Sequence, residues 1–253
     1  MFWFKRKEIV VDCFTPLQSV YELYKIQPAM KFFPEEFKNL PNYLDEIDPT
    51  TKIKYQTGTI RKCIGLQDLY KQGFITPMWT NLISEPKNSI LNKTAVAMIG
   101  QPYGFEMHPK RQYAGVFEDY LHIKLKGVWK LKESTGVKFM IQGPVWNLHN
   151  HHKNFVVVPG VVSYNYMSQT NVNLFINKNS DDFCIDSGTP LIHTIPLTDN
   201  KVTIRTHLID DKEYSKIGIP DDFDFIKPER YLRWVKQKEK QEQESKCPFG
   251  FGK

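Results

Sequence analysis

The sequence predicts a mainly β protein, an antiparallel sandwich or barrel with a small α-containing N-terminal layer and a C-terminal helical tail. Three observations predict it. From Thr94 to about Ile209 short apolar runs succeed one another, among them LHIKLKGVWKL, NFVVVPGVVSYNY, NVNLFI, PLIHTIPL and KVTIRTHLI, with Gly, Pro, Asn or Asp between most of them. Aromatic residues make up 13% of the chain, a share that suits half-buried pleated surfaces. The 16 prolines and 14 glycines punctuate the sequence too often for long helices. At 253 residues the chain can bury a large core, and three stretches are expected in it: an α/β layer over 1–93, a β-rich core over 94–215, and a charged helix with its tail over 216–253.

In chain order, EIVVD at 8–12 is a short β-branched run and reads as a first strand. Residues 17–43 carry Pro28, Pro34 and Pro41, which allow only short helical turns, and Pro34 before Glu35 and Glu36 is placed to start one. Over 59–83, Ile64, Leu66, Leu69 and Tyr70 mark a helix; Gly73 is its expected stop, and an apolar strand follows. Along Leu121, Ile123 and Leu125 the apolar residues alternate with His122 and Lys124, so one face of that strand meets water. No repeat recurs at a fixed period. Pro228 starts a last helix whose first turns can dock through Tyr231, Leu232 and Val235; KQKEKQEQESK after it has no apolar residue, and CPFGFGK ends the chain.

Charge and cysteine content narrow the function classes. The net charge of +6 is spread along the chain and reads as a solubility feature, with no specific nucleic-acid partner expected. Cys13, Cys63, Cys184 and Cys247 are far apart, which excludes a close-spaced zinc knuckle or redox dithiol and favours a reducing compartment. The opening MFWFKRKEIVV lacks the apolar length of a signal peptide, and no later run approaches the ~18 apolar residues of a membrane span.

Few side chains stand in a pattern that carries chemistry. His149 and His151 in WNLHNHHKNF would share one face of a strand and are the candidate metal pair, against a polar loop as the plainer reading. Asp181, Asp182 and Asp186, and later Asp210, Asp211, Asp221, Asp222 and Asp224, read as solvated turns; magnesium would suit a pair of them only beside phosphate oxygens. Trp79, Trp129 and Trp146 lie in apolar runs and are expected in the core. Neither a P-loop nor a G-x-G-x-x-G occurs, and no catalytic residue is assigned.

Two resemblances add context. IQPAMKFFPEEFKNLP, TIRKCIGLQDLYKQGFITPMW, VKFMIQGPVW, and VVPGVV followed by SGTPLIHTIPL resemble, in that order and over most of residues 9–210, an uncharacterised family of tailed-bacteriophage proteins. That resemblance implies a viral setting, in the host cytoplasm or the virion, and no activity. PGVVSYNY at 159–166, with the NVNLFINKNSDDFCIDSGTPLIHTI that follows, is similar to the part of the trimeric dUTPase and dCTP deaminase β fold where a hairpin carries the catalytic Asp. Here Ser163 stands at that place with Tyr164 and Asn165 beside it, and none of these can act as a base near neutral pH. FGFGK likewise resembles the arm that lays a phenylalanine over the base in those enzymes, without its usual Ser and Thr phosphate donors.

Two functions are therefore expected. The first is a non-enzymatic phage-encoded accessory or structural protein working through contacts with other phage proteins or itself, in which Phe249 and Phe251 dock to a partner. It needs no cofactor. The second is a dUTPase-like nucleotide binder or hydrolase with a rearranged site, in which Ser163, Asn165, Tyr166, Phe249 and Phe251 face the nucleotide and magnesium accompanies it.

Overall fold

The computed structural model describes residues 8–85, 96–98, 104–113, 115–165 and 168–218, with helical backbone also at Arg233, Lys236, Gln237 and Lys240. The N-terminal third runs β1 (Ile9–Thr15), α1 (Gln18–Leu23), β2 (Gln27–Pro28), α2 (Glu35–Lys38), β3 (Tyr43–Ile47), β4 (Lys54–Gly58), α3 (Ile64–Lys71), β5 (Phe74–Pro77) and β6 (Leu82–Ser84). Next come β7 (Val96–Met98), β8 (Phe105–Met107), β9 (Tyr120–Leu125), β10 (Lys130–Lys132), β11 (Lys138–Gln142) and β12 (Phe155–Val157). The chain continues with β13 (Gly160–Ser163), β14 (Val172–Asn177), β15 (Phe183–Ile185), β16 (Pro190–Pro196), β17 (Val202–Leu208) and α4 (Asp211–Lys216).

The protein is mainly β, as expected, but among the described residues no sheet closes on itself into a barrel. Two sheets frame the site described below: β13-β11-β16-β5-β2 and β12-β14-β9-β8. A third, β10-β1-β17, contains the parallel pair β1–β17, which matches Ile9 to Val202 and Thr15 to Leu208; the other pairings are antiparallel. The 1–93 stretch thus contributes β1, β2, β5 and β6 to sheets it shares with the residues after it, β6 lying between β15 and β7. β3 and β4 form an exposed hairpin of their own.

Side-chain alternation explains which face of each strand is covered. In β1, Ile9, Val11, Cys13 and Thr15 point inward, and in β14 Val172, Leu174 and Ile176 do so while Asn173, Phe175 and Asn177 face out. β9 shows the expected division, with Ile123 and Leu125 fully buried and His122 and Lys124 on the outer face. β16 lies inside its sheet and is buried almost throughout, so it shows no alternation, and its two polar side chains, His193 and Thr194, are buried with the apolar ones. Val11, Leu125, Phe139, Leu174 and Leu191 come from five different strands and meet, with Trp79 from the loop after β5, in one continuous core. Each such side chain contributes about 1.5–3 kcal/mol by leaving water.

A smaller cluster of Ala29, Phe33, Leu66, Tyr70 and Ile75 lies where α3 and the 3-10 turn at Ala29–Phe32 meet β5. Gly73, the expected helix stop, has φ +68°, and a Cβ there would fall 1.9 Å from the Thr194 carbonyl oxygen, so no other residue fits this close approach to β16. At the far end, Asp210 caps α4 by accepting from the Glu213 amide at 2.7 Å. Buried Lys130 donates to the Tyr214 carbonyl at 3.1 Å and holds the other end of that helix. Cys13, Cys63 and Cys184 are free thiols, and Cys247 lies outside the described residues.

Candidate functional site

The segment 144–154 links β11 to β12 and has a cavity on each side. Pro144 opens it: its carbonyl accepts from the amides of Asn147 at 2.8 Å and Leu148 at 3.1 Å, and a 3-10 turn at His149–His151 continues the coil. Leu148 is driven inward as the anchor, which leaves Val145 and Trp146 outside at 67% and 38% exposure. Trp146 was expected in the core with Trp79 and Trp129; those two are buried, but the turn at Pro144 carries Trp146 to the surface.

On one side lies a pocket of about 290 Å³ walled by Val145, Leu148, Phe155, Val156, Val157 and Pro159. Its position follows from topology. β12 is an edge of the four-stranded sheet, β13 is an edge of the five-stranded one, and Pro159 joins the two, so the pocket sits in the seam between sheets. Gly143 in its wall makes the seam tight, because a Cβ there would come within 3.1 Å of the Val157 side chain. Among the described lining residues only His152 is titratable.

On the other side a cleft of about 260 Å³ is lined by Lys31, Glu35, Glu36, Trp146, Asn147 and His149, among others. A polar network stands behind it. The Tyr70 hydroxyl donates to Asn147 Oδ1, and Asn147 Nδ2 donates to the Phe32 carbonyl at 2.8 Å, tying the segment to the N-terminal residues. The Tyr70 ring lies 5.7 Å from that of His193, whose Nε2 donates to the Gln72 carbonyl at 2.9 Å. Burial pushes the Tyr70 phenol up and His193 down, keeping both neutral; the carbonyl bond opposes the shift at His193.

His149 and His151, expected on one face of a strand, instead occupy the 3-10 turn, where three residues complete a revolution and residues two apart diverge. His149 Nδ1 bonds the Trp146 carbonyl at 3.2 Å, and His152 Nδ1 bonds the His149 carbonyl at 2.5 Å. His151 packs on the rings of Phe155 and Phe183; burial lowers its pKa, partly offset by Asp186 and reinforced by His149. Among the described residues no three His, Cys, Asp or Glu side chains converge as a metal site.

Ser163 ends β13 opposite Lys138, about 10 Å of strand away from the pocket at the other end. Tyr164 beside it is buried, bonds Thr170 Oγ1 at 2.8 Å, and has its pKa pushed up to about 12, burial being the main cause. Asn165 is half-buried in the turn that follows; Tyr166, Phe249 and Phe251 lie outside the described residues. No local pattern in the sequence links Tyr70, Asn147 and His193, whose partners are 77, 115 and 121 positions away in the chain. The pocket had a legible trace in the apolar run FVVVPGVV, read only as strand.

A scan of protein-family models and a search of curated proteins find no match for this chain.

Proposed function

We propose that this is a non-enzymatic, phage-encoded accessory or structural protein that acts by holding another protein against the seam between its two sheets. The observation that carries the reading is the apolar pocket at the junction of two sheet edges, with Val145, Val156 and Val161 exposed at 67%, 48% and 58%. Aliphatic side chains on edge strands gain about 25 cal/mol for each Å² that a partner covers, and the second edges of β12 and β13 pair with no other described strand. An extended segment of a partner can lie along such an edge and send side chains into the seam.

The setting of this reading is the host cytoplasm or the virion, and its partners are other phage proteins or a second copy. No helix of the described residues is long and apolar enough to cross a membrane. No cofactor enters the reading. Hydrolysis of a dNTP would need a base and a place for magnesium, and the pocket walls offer His152 alone.

The test is a photo-crosslinking side chain at Val156, installed in the full chain during infection, together with pyrophosphate release measured for each dNTP with magnesium. The reading expects one defined crosslinked protein and no release. Magnesium-dependent hydrolysis of any dNTP would overturn it.

A further inference from the structure

The pocket and the end of the chain fit each other. Phe249 and Phe251 are separated by Gly250, preceded by Pro248 and followed by Gly252. In an extended backbone residues two apart point to the same side, so a stretch of this spacing can present both rings to one surface about 7 Å apart. The pocket offers about 290 Å³ of space between aliphatic side chains, in a seam whose two bordering strands end their sheets. The residues before the aromatics, KQKEKQEQESK, hold nothing apolar that could compete for that space.

Reach is not limiting. Residues 219–248 separate the last continuously described residue, Gly218, from Phe249. Those 30 residues would span about 45 Å if wholly helical and about 100 Å if fully extended. A chain of this length folds into a body with a radius of gyration of about 18 Å, so either form crosses it. Attachment through one chain also sets a local concentration in the millimolar range for flexible connections, well above that of a second copy in dilute solution.

We propose that the chain's own residues 247–253 dock in cis along the seam, with the rings of Phe249 and Phe251 in the pocket between Val145, Val156 and Val157. The proposal rests on the reading of this pocket as a protein-contact surface and adds its resident occupant, which an incoming partner must displace.

The experiment is valine-methyl NMR on the full chain. Phenyl rings lying against methyl groups shift them upfield, so the Val145, Val156 and Val157 signals should move downfield when Phe249 and Phe251 are both replaced by alanine, and the wild-type signals should not change on dilution. Signals of core valines such as Val11 and Val128 report that the fold is intact. Pocket methyls unchanged by the double replacement overturn the proposal, and a wild-type shift that fades on dilution overturns it in favour of docking between copies. Its failure is distinguishable from that of the functional reading. Unchanged methyls beside a defined crosslink at Val156 remove only the tail as occupant, whereas a methyl shift without any crosslinked partner removes only the partner.

Discussion

The main core and the smaller cluster under α3 are built by different means. The main core is apolar almost throughout: Phe139, fully buried, meets Phe74 at 6.2 Å and Tyr164 at 5.2 Å between ring centres. The smaller cluster ends on the chain Tyr70–Asn147–Phe32, with His193 beside it. Apolar packing supplies more free energy but is tolerant of which apolar group is present, whereas buried hydrogen bonds add little net stability and penalise every misplacement. The sheets are thus held by burial, and the loop with two cavities is positioned by a few directional bonds.

Truncation should expose that difference most strongly in the main core. Phe139→Ala is expected to cost about 3–5 kcal/mol in denaturant unfolding, through lost transfer energy and the cavity left behind. A cost below about 1 kcal/mol would mean the core collapses around the gap. Tyr70→Phe keeps the ring and removes only the donor to the half-buried Asn147, at a cost of about 0.5–1.5 kcal/mol. In a double-mutant cycle Tyr70→Phe and Asn147→Ala should couple by about 0.5–3 kcal/mol, while Phe139→Ala and Asn147→Ala should add. Additivity of the first pair would break the distinction between the regions.

The sequence made one of these two regions much more legible than the other. Strands with one wet face announce themselves by alternation, as β1, β9 and β14 do, and Gly73 and Pro34 fall where backbone geometry demands them. The parallel pairing of β1 with β17 joins residues 193 positions apart, and no local pattern encodes it. The β3–β4 hairpin was missed because its strands are almost wholly exposed and carry no buried stripe. His149 and His151 misled because their spacing suits a strand face, while Pro144, five residues before His149, bends the backbone into a turn. The cleft brings residues 31–36 to residues 146–149, which no local pattern encodes, whereas the pocket's walls all lie within 142–159 and were visible only as ordinary strand and loop residues.

Acid should weaken the junction before it weakens the apolar core. His193 is 1% exposed and donates from Nε2 to Gln72, so its folded form is neutral with a depressed pKa. As pH falls below about 6.5, the unfolded chain binds a proton that the folded chain refuses, and stability declines until the folded pKa is passed. His122 and His151 are also depressed, chiefly by burial, and add to the same trend. The contribution of His193 is isolated by comparing wild type with His193→Gln, whose unfolding free energy should fall less between pH 7 and pH 5. Parallel pH profiles for the two proteins would show that this histidine does not set the acid response of the junction.

The smallest effect is expected on the outer face of the four-stranded sheet, where charge replaces both burial and directional bonding. Glu106 pairs with Lys124 and Lys126 at 2.8 Å each, and those two ammonium groups lower its pKa to about 2. The depressed carboxylate contributes stability that is present above about pH 4.5 and is lost as pH falls through 2. The size of that pKa shift overstates the contribution, because the Glu106 side chain is 47% exposed and water screens the pair. Glu106→Gln should therefore cost about 0.2–1 kcal/mol at neutral pH and low salt. Raising the salt to about 1 M, where the screening length is about 3 Å, should remove most of that cost. The Tyr70→Phe cost should persist in the same salt, since its hydrogen bond joins two neutral groups. A Glu106→Gln penalty that survives 1 M salt would place this carboxylate with the directional bonds of the junction and would show that the outer face is held by more than solvated charge.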